Sequence, residues 1–150
     1  MHINRITKWH ELVKPEKDLN LSWELITEER KEVDEALEDY ILEPTEEHRA
    51  HAAKELADEI WVLVRGLYDL GYDPAVVLET VAKSNWSKLY RPARFSIELS
   101  TQKKIDEYNE KNNTKTKPLA DKLFGTFKPS GKLAKGPFYK PVNYEDFESK

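Results

Sequence analysis

Two short stretches, EERKE at 28–32 and ELADE at 55–59, carry acids three residues apart inside segments whose apolar spacing is helical. Side chains at i and i+3 share one face of a helix. Glu29 with Glu32, and Glu55 with Asp58, would therefore offer four oxygen donors to a common space if the two helices faced each other. Carboxylates gathered in that way repel one another and lose solvation. A divalent cation that prefers hard oxygen ligands resolves the conflict. Mg²⁺, or Mn²⁺, suits an all-carboxylate set and keeps coordination positions open for water or phosphate oxygens.

Glutamate is common in this chain, so both patterns are close to what chance would produce, and placement is the better guide. On a wheel of about 100° per residue the apolar side of the first segment is marked by Ile26, Val33, Ala36, Leu37 and Tyr40. Glu28, Glu35, Glu38 and Asp39 fall on the opposite, solvated side. Glu29 falls inside the apolar arc and Glu32 at its border. Surface ion pairing accounts for Glu28 and leaves Glu29 unexplained. In the second segment the apolar residues Leu56, Ile60, Leu63, Val64 and Leu67 cover much of the circumference. Glu55 and Asp58 lie on another face, which continues through Val62 and Gly66; a glycine there would let a neighbouring element approach closely.

Other chemistries are weaker. With no cysteine, thiol catalysis, disulfides and zinc–thiolate sites are excluded. Four histidines are present without a Glu-x-x-His pair, the di-iron signature of helical bundles. His48 and His51 could share a face with Glu55 but fit ordinary helix-start positions. No Gly-rich phosphate loop and no nucleophile elbow occurs.

The elements that must position the acids are helices. Helical spacing runs from about residue 3 to 13, 21 to 42, 45 to 70 and 74 to 86. Ser22 is a possible cap of the second helix, Thr45 suits the start of the third and Gly71 its end, and Pro74 suits a first turn. Residues 91–112 predict an inserted surface helix within an all-α domain spanning 1–112. Residues 113–150, rich in Lys, Pro and Gly, predict an extended arm packed on the domain, with no strand. The fold class expected is all-α, a compact bundle in which the EExxE and ExxD helices run antiparallel.

Charge divides along the chain. Residues 1–112 hold 16 Lys+Arg and 24 Asp+Glu, whereas residues 113–150 hold 8 and 4. An acidic body with a basic tail argues against binding to duplex nucleic acid. It suits metal ions in the body and an anionic group near the tail. The N-terminal MHINRITKWHEL lacks the apolar run of a signal peptide, and the longest apolar stretch, IWVLVRGLYDLG, is too short and too charged to span a membrane. A soluble cytoplasmic protein is expected, in the host-cell cytoplasm if the chain is phage-encoded. The apolar surface of the third helix exceeds what so short a bundle can cover, so a homodimer or homotetramer is expected.

Taken in order, EExxE, a gap of 22 residues and ExxD resemble the all-α nucleoside triphosphate pyrophosphohydrolases of the MazG type. KSNWSKL at 83–89 resembles the Ser-Asn-x-x-Lys-Leu segment after their fourth helix. SGKLAKGPFYKP at 130–141 resembles the Gly-Lys-x-x-Lys-Gly-Pro-x-Tyr-x-Pro ending of phage and bacterial members, and KWHEL at 8–12 the aromatic-His pair of their first helix. The resemblance covers about 1–90 and 130–144. It implies Mg²⁺ ligation by Glu29, Glu32, Glu55 and Asp58, with Glu32 or Glu29 activating water and Glu28 in support. It also implies triphosphate contacts from Lys83, Asn85 and Lys88. His10, Trp61, Trp9 and Trp23 are possible contacts for base or sugar. The implied activity is hydrolysis of a (d)NTP to (d)NMP and pyrophosphate in nucleotide-pool control. Alternatives are a phosphoribosyl-ATP pyrophosphohydrolase, which shares fold and acids, and a catalytically silent helical dimerisation module. Two departures stand out: about 40 residues intervene between the last two segments, and Ala82 occupies a position that is often His in relatives.

Overall fold

The computed structural model describes residues 3–91 and 99–148, the side chains of 99–101 excepted. It contains five helices, α1 (Ile3–Val13), α2 (Leu19–Leu42), α3 (Glu46–Asp69), α4 (Pro74–Trp86) and α5 (Leu99–Asn112), with strands β1 (Lys115–Ala120) and β2 (Leu123–Phe127) and a 3-10 turn at Tyr144–Phe147. The chain forms two compact units, residues 1–78 with 145–150, and residues 79–144.

The first unit is built on α2 and α3. Glu43, Pro44 and Thr45 leave too little chain for anything but an antiparallel return. The order of contacts confirms the direction: Ser22 bonds Asp69, Gly66 faces Ile26, and Arg30 pairs with Glu59. A Cβ on Gly66 would lie 3.2 Å from Ile26 Cδ1, so a side chain there would press the helices apart. Val33, Ala36, Ala52 and Val62 are buried between them. The buried side of α3 is thus the Glu55–Val62–Gly66 face, whereas Leu56, Ile60 and Leu63 are exposed.

Local signals explain the helix ends. Thr45 caps α3, its hydroxyl accepting from His48 N at 3.1 Å. Gly71 follows α3 at φ +91°, a conformation glycine adopts without strain. Ser22 is not the cap of α2. Asp18 is, accepting from Leu21 N at 3.1 Å, and Ser22 lies fully buried one turn inside. The end of α1 is capped from a distance: Arg65 donates to Lys14 O and Glu16 O in the trailing chain, and adds a second, longer bond to His10 O, which already accepts from Lys14 N.

In the second unit the expected strandless arm is a correction. β1 and β2 pair antiparallel with Lys115 opposite Phe127 and a two-residue turn, Asp121–Lys122. Tyr90 exchanges backbone hydrogen bonds with Phe124 at 3.0 and 2.9 Å, and Leu133 bridges to Phe127. Pro118 is tolerated because β1 pairs on one side only. Residues 92–98 of the expected insertion lie outside the described residues; α5 occupies Leu99–Asn112. The fold is therefore mainly helical with one small sheet.

Candidate functional site

Antiparallel pairing of α2 and α3 brings three of the four expected ligands together. One carboxylate oxygen from each of Glu29, Glu32 and Glu55 lies within 4.8 Å of the others, so the group could hold a metal ion. Their exposures differ: Glu55 is buried, Glu29 half-buried and Glu32 exposed. Such a gradient gives the cluster an inner wall and an open side. Glu29 Oε2 is buried and has no hydrogen-bond partner among the described residues. Burial, and then the charges of Glu32, Asp58 and Glu55, push the Glu29 carboxyl above its ordinary range.

Asp58 stands outside the group of three, half-buried, yet near enough for its charge to act on Glu29. Lys54 explains its position. Its ammonium lies 2.9 Å from Asp58 Oδ2 and 3.0 and 3.2 Å from the two Glu55 oxygens. Those bonds raise the Lys54 pKa well above the usual lysine range. His51, an ordinary helix-start residue by sequence, reaches Glu55 Oε1 at 2.9 Å, while His48 bonds Glu43 O at 2.8 Å. Glu28 is exposed, in keeping with its place on the polar side of α2. Next to the cluster the guanidinium of Arg30 pairs with Glu59, which is itself buried.

His10 is buried, with Nε2–H directed at Trp61 O at 2.9 Å. Burial is the main reason its pKa is lowered, so the neutral ring is the form that fits. The Trp9 and Trp61 rings meet edge to face at 5.4 Å. Trp9 and Trp23 expose much of their surface; Trp61 is half-buried. Among these residues, His10 has its ring committed to joining α1 and α3.

The remaining candidates lie in the second unit. Lys83 is exposed and 3.7 Å from Glu79, and Lys88 Nζ donates to Asn85 Oδ1 at 2.8 Å. The two serines of KSNWSKL have a structural role. Ser84 Oγ donates to Lys140 O at 2.8 Å, and Ser87 Oγ accepts from Lys140 N at 2.7 Å. KSNWSKL and SGKLAKGPFYKP are thus joined by hydrogen bonds across more than fifty residues of chain. A Cβ on Gly136 would meet Lys88 O at 3.2 Å, which adds a second close approach.

Sequence reasoning missed Lys54, Arg30, Glu59 and the buried group of Arg65, Asp69 and Ser22. Arg65 donates to Asp69 Oδ2 at 2.9 Å, and the Ser22 hydroxyl donates to the same carboxylate. Burial opposes ionisation of Asp69, but these bonds prevail and hold its carboxyl below the usual range. The available signal was the i, i+4 charge pair inside the longest apolar run. No protein-family model, no curated protein and no solved structure matches this chain.

Proposed function

We propose that this chain is a nucleoside triphosphate pyrophosphohydrolase of the MazG-like kind, cleaving a (d)NTP to (d)NMP and pyrophosphate in nucleotide-pool control. One observation carries the proposal: Glu29, Glu32 and Glu55 offer converging oxygens, and one oxygen of Glu29 is buried without a donor. That donor set fits a hard divalent cation, Mg²⁺ or alternatively Mn²⁺. Glu29, Glu32 and Glu55 would hold it, with Asp58 joining once released from Lys54. When bound, the ion supplies neutralising charge for phosphate oxygens and lowers the pKa of a water ligand. The chain's own part is proton transfer: Glu32 or Glu29 accepts the proton of the attacking water as the bond to the pyrophosphate leaving group breaks. Lys83, Asn85 and Lys88 are proposed phosphate contacts, resting on the resemblance of KSNWSKL alone; His10 and Trp61 are proposed substrate neighbours on the same ground, with Glu28 in support.

A screen for pyrophosphate release across the eight common NTPs and dNTPs and phosphoribosyl-ATP, with Mg²⁺, tests the proposal and selects the substrate. Undiminished release by Glu29→Gln and Asp58→Asn variants would overturn the site.

The exposed Leu56, Ile60 and Leu63 on α3 favour assembly as a homodimer or homotetramer. They equally favour a second reading, a silent helical dimerisation module. Thermal melts separate the two, because only the enzyme is stabilised by Mg²⁺ with a non-hydrolysable dNTP. Among the described residues no helix is long and apolar enough to cross a membrane.

A further inference from the structure

The second unit holds a feature that the acidic cluster does not explain. Lys88, Lys128, Lys132 and Lys135 line a single cavity of about 470 Å³, together with Tyr108 and Thr114. Four lysines lining one concavity bring like charges into one region, and among the described residues none of them pairs with a carboxylate; Lys88 Nζ donates to the neutral Asn85 amide oxygen. An anion placed there offsets that charge.

The backbone that presents these lysines is well tied. Lys128 N donates to Lys132 O at 2.9 Å and Gly131 N to Lys128 O at 2.9 Å, closing the loop with Gly131 at φ +82°. Ala134 N donates to Thr126 O at 2.7 Å, fixing the segment between Lys132 and Lys135. Gly136 is packed against Lys88 O, as described above. Lys135 Nζ lies 5.1 Å from the Tyr139 ring centre, which steers its stem without neutralising its charge. The end of α5 borders the cavity, and carbonyls at a helix end would disfavour an anion. Here two are already engaged: Asn109 O accepts from Thr114 N and Tyr108 O from Asn112 Nδ2.

We infer that this cavity is a binding site for the polyphosphate chain of a small molecule, a nucleoside triphosphate or free inorganic polyphosphate, that needs no metal. Lysine is a compact cationic donor suited to phosphate oxygens. The cavity volume falls within the range of small-ligand pockets. A single-stranded polynucleotide would instead need a groove with several aromatic platforms, and Tyr108 is the one aromatic residue in the lining. The inference shares Lys88 with the proposed function but does not rest on it. A chain without pyrophosphohydrolase activity would still bind polyphosphate here.

The test is calorimetric titration of the full chain with sodium tripolyphosphate, in EDTA and at low salt. Binding at one site per chain is expected. Single Lys128→Gln, Lys132→Gln and Lys135→Gln changes should each weaken it about three- to tenfold, and the triple change more than about thirtyfold. A triple change to Arg should restore most of the affinity, and Glu29→Gln with Glu55→Gln should leave it unaltered. A non-hydrolysable dNTP run in parallel tells nucleotide from bare polyphosphate, either of which supports the site. Absence of binding, full binding by the triple Gln variant, or tighter binding of an oligothymidylate than of tripolyphosphate overturns it. Should the triple Gln variant fail to fold, reductive methylation of the unaltered protein decides. Tripolyphosphate should protect Lys128, Lys132 and Lys135 but not the exposed Lys8, and equal labelling with and without it overturns the site.

Discussion

The two units concentrate charge of opposite sign by different means. Residues 1–78 and 145–150 hold 10 Lys+Arg and 22 Asp+Glu, whereas residues 79–144 hold 14 and 6. In the first unit the like charges sit on two rigid helices, partly withdrawn from water at Glu29 and Glu55. In the second, three of the four cavity lysines are exposed and stand on a loop closed by backbone hydrogen bonds. Desolvated carboxylates at fixed spacing select for a small, hard, doubly charged ion. Solvated ammonium groups at a flexible reach select for an extended anion and respond to ionic strength. The difference lies in burial more than in charge.

The largest effect is expected from removing what holds the first unit rigid. Arg65→Ala leaves Asp69 buried without its guanidinium partner and takes a donor from the Lys14 and Glu16 carbonyls, and should cost about 3–5 kcal/mol in urea unfolding. Acid tests the same group. Because Asp69 has a folded-state pKa below its ordinary 3.8, its contribution is complete above that value and is lost as pH falls through the folded-state value. Asp69→Asn should therefore flatten the acid limb of the stability profile measured by circular dichroism.

Next in size, Glu55→Gln removes the buried member of the three proposed ligands. Pyrophosphate release should fall about a hundredfold or more, with the fold intact by circular dichroism. A smaller effect is expected of Glu29→Gln in EDTA. It removes a carboxylate that burial and three neighbouring acids disfavour, so the melting temperature should rise about 2–4 °C, and adding Mg²⁺ should help the parent protein more than the variant. A fall in EDTA would mean that Glu29 has a stabilising partner. Smallest of all, Ser84→Ala and Ser87→Ala should each cost about 1 kcal/mol in the second unit, through the lost bonds to Lys140.

Much of this was legible beforehand. Thr45, Gly71 and Pro74 marked helix boundaries because caps and turns depend on residues adjacent in sequence. The wheel singled out Glu29, and Gly66 marked the face that α2 approaches. Long-range pairing was not legible. Arg65, Asp69 and Ser22 lie inside because they satisfy one another across 47 residues, which no local pattern encodes. Ser22 looked like a cap for the same reason. The β1–β2 hairpin escaped notice because Pro118 interrupts one strand and its turn is Asp-Lys rather than Asn-Gly, with Lys122 taking φ +57°. Three of the four cavity lysines were visible as tail charge, but what brings them beside Lys88 depends on that hairpin.

Lys54 gives the acidic helix pair a tenant of its own. Its ammonium spans Glu55 and Asp58, so part of the repulsion is quenched by a tethered group that never diffuses away. On the proposed function a divalent ion would compete with it, which would make loading a contest and set a threshold concentration below which the tenant stays. Shortening that side chain, as in Lys54→Ala, should lower the threshold for Mg²⁺ while making the metal-free helices less comfortable together.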